Sequence, residues 1–332
     1  MAMKPFLALT FALLLSLPTS AQDEVVHLRD YDVSGLNEGL VANRLTCDLH
    51  FHLTKKGHVK WATVVERLPE LRRIFEPAGV QLRVASARLI EIPAAWHSLK
   101  PHRGDPPAKE ATTFYGKYGA SSRLAPATER VFRGVIGKEG PGAVSSVHFV
   151  SIRKVDTGWW ERGSDGAWRY ETAGTSACSF PPYMFADRIP ARLRGVITLS
   201  SGSAASRTLA HELGHKLINV SHEGVGRDPQ GEQWGPDDLM IYGRGTRIPA
   251  GAEGRFQRER LQKSPFLYRT VAGERRFNPP YKEGGHYWDP IYAGLWAEEP
   301  PKRERARVQQ GMADRLPSDA EPDHASPRGG PR

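Results

Sequence analysis

A chain of 332 residues, 39% of them hydrophobic, has the length for one or two domains with a substantial core. Its net charge of +9 is spread along the sequence and not gathered into a run of Lys/Arg interleaved with aromatics. That balance favours acidic surfaces or substrates and excludes a recognisable nucleic-acid-binding motif.

In chain order, residues 1–21 have the pattern of a signal peptide: Lys4, an apolar run from Phe6 to Leu17, and a small-residue cleavage site at Thr19-Ser20-Ala21 before Gln22. The apolar run is too short to span a membrane, and no other stretch qualifies as a transmembrane segment. The mature protein is therefore expected to be exported, to the periplasm or the extracellular medium. Residues 22–45 read as a loosely ordered lead-in. Residues 47–53 alternate apolar and polar like a strand, on which His50 and His52 face one way, a pair that suits a second metal but more often simply faces solvent. Residues 61–75 carry Val64, Leu68, Leu71 and Phe75 at helical spacing, and residues 79–84 follow as a strand.

The stretch 97–143 is rich in Pro, Gly and Lys/Arg and reads as a surface insertion with at most one short helix. Further strands are predicted over 148–153 and 195–200. Trp159, Trp160 and Trp168 between them suit core packing or a cleft rim. Thr208, Leu209, Leu213, Leu217 and Ile218 then define an apolar helix face. Ser203 or Ser206 supplies its N-cap and Asn219 its left-handed stop. Residues 249–269 predict another helix. From residue 300 onward Pro, Arg, Asp and Gly dominate, the composition of a disordered tail. Cys47 and Cys178 are the only cysteines, which predicts one disulfide in an oxidising compartment; the alternative is a free Cys47 thiolate capping a metal.

The chemistry concentrates in His211-Glu212-Leu213-Gly214-His215, followed by His222 and by Met240-Ile241-Tyr242. Residues four apart share a helix face, so His211 and His215 present two imidazoles to one ion, while Glu212 points aside and suits a proton acceptor. A catalytic zinc takes three protein ligands and keeps one position for water. His222 is the expected third ligand, with Glu223, Asp228 and Glu232 as the carboxylate alternatives.

These residues resemble the metzincin clan of zinc peptidases, whose pattern is HExxHxxGxxH followed by a methionine turn beneath the metal. The third histidine comes one residue late here: the family spacing falls on Ser221, and the family glycine falls opposite Ile218 or, with one insertion, Asn219. The helix is therefore expected to run one residue longer and turn at Asn219, because Asn adopts the left-handed conformation more readily than Ile. Met240 looks like the turn methionine. Tyr242 matches the tyrosine that in astacin-like and serralysin-like branches reaches the metal or the oxyanion, although an ordinary half-buried turn tyrosine fits equally.

The resemblance implies an α+β (α/β) catalytic domain over residues 46–299. Its N-terminal lobe would be a mixed twisted sheet with the active-site helix, and its smaller C-terminal lobe would carry the Met-turn and a helix. It further implies a monomeric zinc-dependent endopeptidase with Glu212 as general base, acting on a protein or peptide laid along strand 148–153. The competing readings are an exported zinc-binding protein without catalysis, a thermolysin-like enzyme with a carboxylate third ligand, and a metallohydrolase acting on another bond.

Overall fold

The computed structural model describes residues 24–101, 103, 125–137, 146–179, 190–200, 205–220, 237–241, 245–279, 288–289 and 294–295. The expected signal peptide and tail lie outside them. The elements in chain order are β1 (Val26–Asp30), β2 (Leu45–Thr54), α1 (Trp61–Phe75), β3 (Val80–Glu91), β4 (Ser98–Leu99), α2 (Pro126–Ile136), β5 (Val147–Ser151), β6 (Lys154–Arg162), β7 (Trp168–Thr175), β8 (Ala177–Cys178), β9 (Val196–Leu199), α3 (Ser206–Ile218), α4 (Arg255–Gln262), β10 (Leu267–Val271), β11 (Glu274–Phe277), β12 (Trp288–Asp289) and β13 (Gly294–Leu295).

Helices and a mixed sheet make this an α+β structure. The main sheet runs β1-β3-β2-β5-β9-β8, with the β10–β11 hairpin joined to the start of β2. Strands β3, β2, β5 and β9 are parallel neighbours, and β1 and β8 close the two ends antiparallel. A parallel core of this kind is covered on both faces, so its strands are buried throughout instead of alternating in and out of solvent. β2 shows this directly, with nine of its ten residues buried.

On one face Leu49, Phe51, Phe149 and Ile197 meet Leu68 and Leu71 of α1 and Leu213 and Leu217 of α3 in the larger core. Each such side chain contributes about 1.5–3 kcal/mol when fully buried. On the other face Val150, Ile152 and Val196 pack with Trp96 and with Val131, Phe132 and Val135 of α2 in a second core. Toward the start of β2 this second face turns polar. The buried Asp48 carboxylate accepts from Arg83 at 2.5 and 2.6 Å, from Arg275 Nη1 at 2.8 Å and from Tyr268 Oη at 2.8 Å. Several charge-assisted bonds are what make a buried carboxylate tolerable.

Helix α1 spans the residues its apolar spacing predicts, and each predicted strand is present within a few residues. Other expectations need correction. The lead-in holds β1, paired with β3, and Asn37, whose side chain exchanges hydrogen bonds with the Val84 backbone at 2.8 and 2.9 Å. The stretch 97–143 is more than a surface insertion, since α2 places Val131, Phe132, Val135 and Ile136 in the interior. The 249–269 helix is confined to α4, and β10 begins at Leu267. The β6–β7 hairpin, paired through β4, was not anticipated; Trp160 is buried there and donates to the Arg103 carbonyl at 3.2 Å.

The expected disulfide is absent: Cys47 and Cys178 are both free. They stand on β2 and β8 with β5 and β9 between, three strand spacings or at least roughly 14 Å apart, whereas a disulfide needs Cα atoms within about 7 Å. Burial pushes the Cys47 thiol well up and the Cys178 thiol up to about 12. With its side chain in the larger core, Cys47 is also unsuited to capping a metal. Strand β5 is flanked by β2 and β9 on its two edges, so a substrate cannot add to it as expected. No described helix is long and apolar enough to cross a membrane.

Candidate metal centre

Helix α3 starts at Ser206, with Ala205 at the N-cap and no side-chain cap; Ser206 is the first helical residue and does not serve as the cap. At its other end Asn219 takes φ 58 and ψ 49, the left-handed stop the spacing requires. Arg260 of α4 secures that end, donating from Nε to the Ile218 carbonyl at 3.0 Å and from Nη2 to the Asn219 carbonyl at 3.2 Å. Two helix-end carbonyls are thereby given donors.

His211 and His215 stand edge to face on α3 with ring centroids 4.7 Å apart. Nδ1 of His211 lies 2.7 Å from the Leu239 carbonyl oxygen, and Nδ1 of His215 lies 2.8 Å from that of Val220. A carbonyl can only accept, so each Nδ1 carries the proton and the ring lone pair sits on Nε2. Burial holds His211 down to about 4 and His215 well below the ordinary imidazole range, against the opposing pull of those carbonyl bonds. Both rings are therefore neutral at pH 7, the form in which imidazole ligates a metal.

The turn beneath them is closed by backbone. Asp237 accepts from Thr246 and Arg247 at 2.9 and 3.1 Å, and Leu239 N donates to the Arg247 carbonyl at 2.8 Å. Gly245 is needed there, because a Cβ would fall on the Asp238 carbonyl. Arg207 in the first turn of α3 reaches the Ile241 carbonyl at 3.0 Å. Met240, fully buried, lies directly against Gly214, where a Cβ would collide with its Sδ. The methionine turn is thus fastened to α3 at Arg207, His211 and Gly214, one contact for each turn of the helix.

Glu212 is buried, and its Oε2 finds no hydrogen-bond partner among the described residues. Burial pushes its carboxyl up to about 7, while hydrogen bonds from Ser179 and the charges of Lys216 and Arg207 pull it back. Ser179, just beyond β8, also donates from Oγ to the Glu212 carbonyl at 2.9 Å. Lys216 is itself brought down to about 7 by burial, opposed by Cys178 and Glu212. Ser179, Lys216, Arg207 and Arg260 escaped the sequence reading. Only Lys216 and Arg207 carried a signal, each being a charge on the helix that holds the motif.

Among the described residues no group of three or more His, Cys, Asp or Glu is arranged to hold a metal. The structure brings together His211, Glu212, His215 and Met240. His222 and Tyr242 lie outside the described residues, as do Glu223, Asp228 and Glu232. Two neutral imidazoles with backbone-fixed tautomers are a donor pair of the kind zinc takes, and the same helix carries a buried carboxylate oxygen without a partner among the described residues. His52 is buried and His50 half-buried, and both meet His148 on the opposite face of the sheet. The chain matches no known family model, and no curated protein is significantly similar to it.

Proposed function

We propose that the chain is an exported zinc-dependent endopeptidase of metzincin type. One observation carries the reading: both α3 imidazoles are held at Nδ1 by backbone carbonyls, which leaves the lone pair on Nε2, on the helix that also carries a buried Glu212 oxygen without a partner among the described residues. A purely structural zinc site has no use for that carboxylate.

His211, His215 and His222 would hold the ion. What zinc supplies when bound is polarisation of the scissile carbonyl and a water made acidic enough to attack near neutral pH. Glu212 takes the proton of the attacking water and passes it to the leaving amine nitrogen. Its raised affinity for protons suits that exchange, and a nearby dication would draw it back toward the ionised form. Tyr242 donates to the developing oxyanion. The substrate backbone is assigned to the edge of β8, the end strand that leads into Ser179 beside Glu212, in place of the interior β5.

The test is cleavage of a mixed quenched-peptide library by residues 22–332 and by the Glu212→Ala variant, with and without a zinc chelator. Cleavage by the wild type alone, abolished by the chelator, is expected. A silent wild type that nevertheless binds one zinc would replace this reading with a binding protein, and equal activity in both chains would remove Glu212 as the base.

A further inference from the structure

The β10–β11 hairpin joins the sheet at its base and is bare beyond it. Only Leu267 and Tyr268 pair with β2, near its first residue, and from Arg269 onward the hairpin runs past the start of that strand. Every residue from Arg269 to Phe277 is exposed except the half-buried Thr270. Ala272 and Gly273 turn the chain back at φ 51 and 83, a two-residue turn whose twist suits a hairpin. The base is held firmly: Tyr268 and Arg275 are bonded to Asp48, and Arg269 Nη1 donates to the Asn43 carbonyl at 2.7 Å.

The register sets Arg269 directly opposite Arg276 and Val271 opposite Glu274, and the strand period of two puts all four side chains on one face. Like charges in cross-strand positions repel and weaken the ribbon. Among the described residues neither guanidinium has an ion-pair partner, and Arg276 has no side-chain hydrogen bond. More cations gather at this end. Arg269 Nη2 reaches Gln262 at 3.4 Å, beside the exposed Lys263, and Arg44 follows Asn43 on entering β2. Glu274 is the one acid of the hairpin. The loop before β2 also carries Val41, 58% exposed and tied through Gln81 to Thr46, the residue paired with Tyr268. Of the five large hydrophobic side chains exposed on the described surface, Val41, Val271 and Phe277 are at this end. Cations in excess of acids are thus interleaved with apolar side chains that have no cover.

We propose that the hairpin and the 41–44 loop seat the protein on a lipid bilayer with anionic headgroups. The headgroups neutralise Arg44, Lys263, Arg269 and Arg276, and the apolar side chains enter the boundary beneath them; interfacial binding sums these two contributions. A soluble polyanion would satisfy the cations but leave Val41, Val271 and Phe277 in water. The repulsion between Arg269 and Arg276 is relieved only on the surface that binds them. None of this rests on the zinc chemistry.

The test is co-sedimentation of residues 22–332, which lack the apolar leader, with vesicles of phosphatidylcholine alone or with about a third phosphatidylglycerol. Binding to the mixed vesicles only is expected. Each cation near such a surface contributes about fivefold, so Arg276→Glu, a change of two charges, should weaken binding roughly 30-fold. The same variant sets Glu opposite Arg269, so its denaturant midpoint without lipid should rise. Val271→Ser should also weaken binding, whereas Val26→Ser on β1, at the far end of β3, should not. Absence of binding to the mixed vesicles overturns the proposal. So does an equal loss from Lys60→Glu, beyond the opposite end of β2, which would mark a response to net charge alone. An Arg276→Glu protein less stable than the wild type would show the pair to be structural, with the same consequence. Binding to heparin in place of vesicles, with the same dependence on Arg276, would replace the bilayer by an acidic polymer.

Discussion

Replacing Gly214 by Ala separates two opposing effects of known size. Gly214 lies inside α3, where Ala is the better helix former by about 1 kcal/mol. A Cβ at this position, however, collides with Met240 Sδ and comes within 3.4 Å of Met240 Cε and Leu239 Cδ2. Met240 and Leu239 are both 0% exposed, so neither has solvent to retreat into. Forcing a methyl group into a packed interior costs about 1–3 kcal/mol. The variant should therefore be roughly 0–2 kcal/mol less stable than the wild type, as read from denaturant unfolding of the metal-free chain. On the proposed function the larger effect falls on zinc binding. Displacing Met240 also displaces the Leu239 carbonyl that fixes the His211 tautomer. Losing such a partner lowers metal affinity about 10–100-fold, measurable by titration against a competing chelator. Adding Met240→Ala to make room should restore part of that affinity while costing core packing. A Gly214→Ala protein that gained about 1 kcal/mol and bound zinc unchanged would show that Met240 does not lie under the helix.

Three further outcomes follow from the same contacts. His222→Ala should reduce zinc affinity, and unchanged affinity in a chelator competition would discard it as a ligand in favour of Glu223, Asp228 or Glu232. Arg260→Ala leaves the Ile218 and Asn219 carbonyls without their donor and should cost about 1–3 kcal/mol in unfolding free energy, with no recovery by Lys, which lacks the planar fork. Asp48→Asn strips the counter-charge from Arg83 and Arg275. Both guanidiniums are partly exposed, so the loss by thermal or denaturant unfolding should be about 3 kcal/mol, the lower end for a broken buried pair.

The elements that could be read from the sequence are those whose burial leaves a periodic trace. Val64, Leu68, Leu71 and Phe75 mark α1 because a helix on a sheet buries every third or fourth residue. Asn219 marked the end of α3 because few residues other than Gly accept its left-handed backbone. What escaped is what non-local partners decide. β1 is exposed along its whole length and is a strand only because β3 presents it an edge. α2 sits in a polar, Pro- and Gly-rich stretch, and its apolar stripe gains a partner only when the second sheet face is assembled. Two cysteines invite a bond, yet their separation depends on strand order, and β5 reads equally well as an edge or a centre until its neighbours are known. In the candidate site, His211, Glu212 and His215 follow from spacing along one helix. Ser179, Arg260 and the carbonyls of Leu239 and Val220 do not, because each comes from another segment.

The Asp48 cluster bears on when this chain can fold. One of its partners, Arg83, is 35 residues downstream, but Tyr268 and Arg275 are 220 and 227 residues away. β10 likewise pairs with β2 only after nearly all the intervening chain has been made. A growing chain therefore carries a central strand whose carboxylate lacks two of its three charge-assisted donors until the β10–β11 hairpin emerges. Such long-range closure slows folding. It also makes the β10–β11 hairpin a completion signal: a chain cut short after α4 keeps His211, Glu212 and His215, yet its sheet is left with an under-compensated buried charge.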